Sequence, residues 1–135
     1  MPTTSLRDQD SLVYRFDVGH DGALWLARQL CEQWLRDRHV RSDAVCDLVL
    51  AVAEVCAGAA LWPTAHVVVR GHIDGTDVEV TVETSGATPP VEDDTVRPAG
   101  GDLRLAAALV DELVLRVQPE RSVVSLRRHG VILPG

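Results

Sequence analysis

The chain has 135 residues, 24% of them charged, and a formal net charge of −7 in which all 13 basic residues are arginine. That length fits one domain burying about two-thirds of its unfolded surface, the acidic field disfavours direct binding of nucleic acid, and the absence of lysine removes lysine chemistry. Cys31, Cys46 and Cys56 are odd in number and lack C-x-x-C spacing, while no secretory leader or apolar run near eighteen residues is present, so a disulfide framework and a membrane span are excluded and a soluble cytoplasmic protein is expected.

In chain order, residues 1–11 read as a disordered N-terminal arm, 12–130 as a single domain and 131–135 as a short C-terminal tail. "LVYRFDV" (Leu12 to Val18) predicts a first or edge strand that ends at the breaker "GHDG". Ala23, Leu26, Ala27, Leu30, Cys31, Trp34 and Leu35 recur at three- and four-residue steps, predicting a helix with Asp21 as N-cap and Arg28, Gln29, Glu32, Gln33 and Arg36 facing solvent. A second helix, capped by Ser42 or Asp43 and closed by Pro63, buries Val45, Leu48, Val49, Val52, Val55, Cys56 and Ala59. It also carries Glu54, which reads as a buried carboxylate, and Gly58, which costs about 1 kcal/mol relative to alanine inside a helix. Two unfavourable residues one turn apart mark a candidate site.

The period then changes to two. "AHVVVRGHI" and "VEVTVE" predict strands joined by the turn "DGTD", so the sheet is at least partly antiparallel. Ser85 to Gly101 is rich in Gly, Pro, Thr and Asp and predicts a seventeen-residue loop, long enough for a lid. "DLRLAAALVDEL" predicts a third helix, and "VLRVQ" and "SVVSLRR" a closing hairpin about "PERS". The expected fold is α+β: a two-layer sandwich with a mixed, mostly antiparallel sheet and helices on one face. The five histidines show neither H-E-x-x-H nor ligand spacing with the cysteines, so no metal site is expected, and no Ser/His/Asp arrangement supports hydrolysis.

The element order and three local motifs resemble the sigma-regulatory serine kinases, the anti-sigma-factor branch of the GHKL ATPase superfamily with its Bergerat fold. The family's "E-x-x-x-N" on the second helix aligns with Glu54 and Gly58, its "D-x-G-x-G" with "TSGAT", and its "G-x-G-L" with "GGDL". The resemblance implies a general-base role at Glu54, a magnesium ligand at the position of Gly58, an adenine-reading aspartate at that of Thr84, and phosphate-cradling glycines at Gly100 and Asp102. Gly86, Gly100 and Leu103 match; Gly58, Thr84, Thr88 and Asp102 depart. "LVDEL" (Leu109 to Leu113) resembles the family's "M-D-E-V" continuation.

Those departures weaken the nucleotide site at independent contacts. A charge-assisted bond to adenine contributes roughly 1.5 to 3 kcal/mol, glycine offers no side-chain oxygen to magnesium, and Asp102 sets a negative charge where a triphosphate would meet a helix N-terminus. Asp102 is at the same time an ordinary N-cap, Gly58 an ordinary close-packing residue, and Glu54 taken alone an ordinary helix acid. The expectation is a catalytically inactive binding module in a bacterium, with Glu54, Gly58, Thr84, Gly86, Gly100 and Asp102 as a vestigial pocket and no cofactor. The resemblance implies as partners a sigma factor, a STAS-domain anti-anti-sigma factor, or both, with a homodimer also possible. It points to Arg28, matching an "A-R" pair, as a partner-binding residue. Two alternatives stay open: a divergent ATP-dependent serine kinase that phosphorylates a STAS-domain partner, and a pocket refitted for another small ligand.

Overall fold

A computed structural model describes residues 11–17, 22–59, 66–86 and 103–134. Among them the order is β1 (Leu12–Asp17), α1 (Ala23–Asp37), α2 (Ser42–Ala59), β2 (His66–Asp74), β3 (Asp77–Ser85), α3 (Arg104–Leu109), β4 (Glu112–Gln118) and β5 (Arg121–Arg128). The strands form one sheet in the order β1-β2-β3-β5-β4. Every neighbouring pair is antiparallel. This is the expected α+β sandwich, with the sheet wholly antiparallel rather than mixed. No described helix is long and apolar enough to cross a membrane.

The alternation of each strand fixes which face the helices cover. Val67 and Val69 on β2, Val78, Val80 and Val82 on β3, and Val124 and Leu126 on β5 are buried in one cluster. Ala44, Val45, Leu48, Val49, Ala51, Val52, Val55 and Cys56 of α2 join them. The intervening strand residues, among them Arg70, Glu79, Glu83 and Arg127, lie on the opposite face. Helix α1 buries Ala23, Ala27, Cys31, Trp34 and Leu35 of the stripe its periodicity predicts, whereas Leu26 and Leu30, predicted with them, lie at its margin and are exposed. Cys31 and Cys56 sit in this core, where burial pushes both thiols up to about 12 and leaves them unreactive. Cys46 is exposed, and all three are free.

Two local expectations differ. The N-cap of α1 is Gly22, at φ 80°, without a side-chain cap bond; Asp21 lies outside the described residues. The third helix stops at Leu109, because Val110 adopts the extended φ −127°, ψ 163°. Asp111 then donates its N–H to the Arg127 carbonyl at 2.8 Å, and Glu112 and Leu113 pair with Arg127 and Leu126. Ladder bonds and burial outweigh the helix propensity of "LVDEL". The segment after β5 is also held to the body of the fold by backbone hydrogen bonds. Val131 is 1% exposed, its carbonyl accepts from Arg41 N–H at 2.7 Å, and Leu133 N–H donates to His39 at 2.9 Å. This joins the chain's end to the α1–α2 turn, where His39 takes φ 62°.

One contact sets how closely α1 approaches the sheet. Trp34 lies across β2 at Gly71, where an added Cβ would sit 2.7 Å from the indole Cζ3 and 2.8 Å from Cη2. Those atoms belong to a rigid ring, 7% exposed, so a methyl group must displace the helix or the strand. Gly71→Ala is therefore expected to lower stability by about 1 to 3 kcal/mol, the usual range for overpacking. Chemical denaturation measures it, and an unchanged midpoint would show that the indole has room to move.

Candidate functional site

The residues that the resemblance assigns to a nucleotide pocket fall on two described elements and one undescribed segment. Glu54 and Gly58 are one turn apart on α2, which packs against β3, β5 and α3. Gly58 is buried. Glu54 is exposed, not buried, and no hydrogen bond or ion pair joins it to a described residue. The apolar positions around it are consecutive enough to suggest enclosure, but its own angle on the helix points to solvent. Gly100 and Asp102, with most of the expected lid, lie outside the described residues.

Thr84 occupies the last inward position of β3 and is 5% exposed. Its strand neighbours are Val67 on β2 and Ser122 on β5. Ser122 is 6% exposed, and these two are the buried polar residues among those described. They place hydroxyls, not carboxylates, at this end of the inner sheet face. Gly86 follows at φ 97°, a left-handed conformation that glycine adopts without strain, and it turns the chain out of β3. This pair of hydroxyls was missed in the sequence, although Ser122 is recognisable there once "SVVSL" is read as inward at its first, third and fifth positions.

Magnesium and ATP, which the resemblance implies, do not fit the described part of the site. Gly58 is buried and has no side chain to donate an oxygen, Thr84 has no carboxylate, and no cluster of three or more His, Cys, Asp or Glu among the described residues could hold a metal. Glu54 is the one residue here with the chemistry of a general base, and it faces solvent.

Arg28 stands on the exposed side of α1, next to the buried Ala27. The same helix exposes Trp25 (63%), Leu26 and Leu30. An arginine beside exposed aromatic and aliphatic groups has the composition of a protein-recognition surface.

The densest electrostatic feature lies elsewhere, about the β2–β3 turn. Arg127 Nη2 donates to Asp74 at 2.8 Å and Asp77 at 3.1 Å. His129 Nδ1 stands 3.0 Å from Asp77 Oδ2, and its Nε2 stands 2.8 Å from Glu112 Oε2. Asp77 Oδ1 accepts the Gly130 N–H at 2.9 Å. That backbone bond first, then His129 and Arg127, hold the Asp77 carboxyl down at about 2. Asp77 in turn raises the His129 imidazole above its ordinary 6.5, with Glu112 and Asp111 adding to the effect. Only the imidazolium can donate to carboxylates at both nitrogens. The partners of His129 are remote in the chain, and no local sequence pattern connects them.

The fold matches the crystal structure of the RsbU and RsbW domains of Rv1364c from Mycobacterium tuberculosis, with a TM-score of 0.70 over 92% of this chain at 18% sequence identity. The match covers 34% of that chain, so the present chain spans about a third of its length. No protein-family model matches the sequence, and no curated protein matches it significantly. At this identity the likeness establishes a shared fold, and the residues must carry any functional reading.

His129 supplies a prediction of its own. Its folded pKa is raised, so the contribution of the cluster is fully present below 6.5 and is lost as pH rises through the folded value. NMR titration of the His129 ring is expected to give a midpoint above that of a model histidine, and Asp77→Asn should bring it down. A midpoint at or below 6.5 in the unaltered protein would refute the paired imidazolium.

Proposed function

We propose that the chain is an anti-sigma-factor-like binding module that regulates transcription by holding a sigma factor, a STAS-domain anti-anti-sigma factor, or both, without ATP. The observation that carries the reading is the combination of a fold shared across 92% of the chain with a structure containing an RsbW domain and a buried glycine where the related kinases hold magnesium. An extended protein interface tolerates loss of individual polar contacts better than a nucleotide site does, because few residues carry its energy and the remainder supply complementarity. Glu54, Gly58, Thr84 and Gly86, with Gly100 and Asp102 in the undescribed segment, are on this reading the remains of a pocket. The chain acts inside a bacterial cell as one domain spanning residues 12–130.

A divergent ATP-dependent serine kinase is the competing reading. One observation favours it: the Glu54 carboxylate is exposed and free of described partners, as a base awaiting a substrate hydroxyl would be. Calorimetry with ATP and magnesium separates the two. The module is expected to show no saturable binding in the micromolar range, whereas magnesium-dependent binding near a micromolar would favour the kinase.

Arg28 supports the protein-binding reading through its place on α1. Its guanidinium can pair bidentately with a carboxylate while its stem packs on the neighbouring apolar groups. With a partner recovered by co-purification from the native cell, Arg28→Ala is expected to weaken binding by about 2 kcal/mol, roughly thirtyfold, with an unchanged melting temperature. Wild-type affinity in that variant would remove the α1 surface from the interface.

A further inference from the structure

On the uncovered face of the sheet the strand register sets three residues remote in sequence in one row. Phe16, Val67 and Thr84 take the inward positions on β1, β2 and β3, so Asp17, His66 and Ser85 beside them project from the opposite face. Asp17 pairs with His66 across β1 and β2, and His66 pairs with Ser85 across β2 and β3. An acid, an imidazole and a hydroxyl therefore stand side by side, in that order.

The hydrogen bonding gives the order a chemical meaning. His66 Nδ1 is bonded to Asp17 Oδ1. A carboxylate only accepts, so the bond puts the proton on Nδ1 and leaves Nε2 as the basic nitrogen of the neutral ring. With Nδ1 turned to β1, Nε2 leans toward β3. Directly opposed Cα atoms of an antiparallel ladder lie about 4.5–5.5 Å apart, which puts the Ser85 hydroxyl within reach of that nitrogen by rotation about χ1. Ser85 is half-buried and makes no side-chain hydrogen bond among the described residues, so the rotation breaks none. These are the roles of nucleophile, base and orienting acid in serine hydrolysis, recognised by geometry and not by sequence order.

Ser85 also lines an open cleft of about 480 Å³ with Glu83, Gly86, Glu120 and Arg121. Gly86, at φ 97°, turns the chain away directly after the serine, and the N–H of the residue after a nucleophile is a usual donor to the oxyanion. Arg121 stands opposite Ser85 on β5. Its Nε donates to Gln118 at 2.7 Å and its Nη1 lies 3.6 Å from Glu83, which holds a cationic donor beside the row where charge would develop.

We propose that Asp17, His66 and Ser85 form a surface hydrolytic site that cleaves small, activated carboxylic esters. Ser85 Oγ attacks the ester carbonyl carbon and its proton passes to His66 Nε2, while Asp17 holds the imidazolium through Nδ1. Collapse of the tetrahedral oxyanion breaks the ester C–O bond, and His66 returns the proton to the leaving alkoxide. Water then attacks the acyl-serine by the same route, releasing the carboxylic acid and restoring Ser85. The site uses no residue of the Arg28 surface and shares with the vestigial pocket only the backbone of Gly86, so this reading and the proposed function fail separately.

The His66 and Asp17 side chains are 62% and 72% exposed, so water screens the site and slow turnover is expected. A fluorophosphonate probe is expected to phosphonylate the folded protein at Ser85, with loss of fluoride, as located by peptide mass spectrometry. A positioned base contributes about 10²–10⁴-fold in an enclosed site; with this exposure, His66→Gln should slow both labelling and p-nitrophenyl acetate hydrolysis by about tenfold or more. Ser85→Ala should abolish the labelling and the burst of p-nitrophenolate, and Asp17→Asn should slow both reactions with its melting temperature unchanged. An unlabelled Ser85 in the unaltered protein, labelling indifferent to His66→Gln, or ester hydrolysis undiminished in Ser85→Ala overturns the proposal.

Discussion

A sheet whose inner face is apolar, with valines at its centre, must be covered, and among the described residues the helices cover it from one side only. Val67, Val69, Val78, Val80, Val82 and Val124 are each at most 2% exposed, and α2 meets them with small and branched residues that allow close approach. The cover is completed where Trp34 lies on the β2 backbone, which works only because position 71 is glycine. Two consequences follow. The other sheet face is left to arginines, acids and hydroxyls, and both sheet edges are left open in the described structure.

Polar groups are consequently sorted to the ends of the strands. At the turn end, Asp77 accepts from Gly130 N–H and Arg127 and faces His129, and thereby ties β3 to the segment that follows β5. Arg128 repeats the arrangement nearer the helices, reaching Asp47 on α2 at 2.6 Å and Asp111 before β4 at 3.4 Å. At the opposite end Glu83 stands between Arg70 and Arg121 on the outer face, while Thr84 and Ser122 end the inner face. These exposed pairs individually contribute little, but about Asp77 several share one carboxylate and are held in place by a backbone bond. The turn end is the pinned end of the sandwich, and the buried hydroxyls of Thr84 and Ser122 lie at the other.

Periodicity made the architecture readable in advance. Steps of three and four placed Ala27, Cys31, Trp34 and Leu35 on one face of α1, and alternation placed the valines of β2 and β3, because both signals reflect burial alone. The boundary at Leu109 was not readable. "LVDEL" has good helix propensity, and only its partners on β5 decide that Glu112 and Leu113 extend instead. Glu54 was misjudged for a related reason: α2 is apolar around much of its circumference, and a single acid in such a helix reads as enclosed unless the neighbouring elements are known. The His129 cluster was invisible because Asp77 and His129 lie at opposite ends of a crossover, with the third helix and β4 between them in sequence.

Site chemistry and fold energetics agree on one further point. A carboxylate at the end of β3 would be desolvated among Val67, Val82 and Ser122, which a bound adenine would compensate and an empty pocket would not. Threonine at that position presents a β-branched side chain suited to a strand and a hydroxyl whose burial costs far less than that of an ion. The same reasoning applies to Gly58. An amide side chain that binds magnesium must be left partly unsatisfied when no metal is present, whereas glycine asks nothing of its surroundings except the loss of helix propensity. At these two positions the residues present avoid the burial cost of a carboxylate and of an unpartnered amide. On the proposed reading, a chain that acts through its surface needs neither a carboxylate at position 84 nor an amide at position 58, and both positions carry residues that can be buried without a ligand.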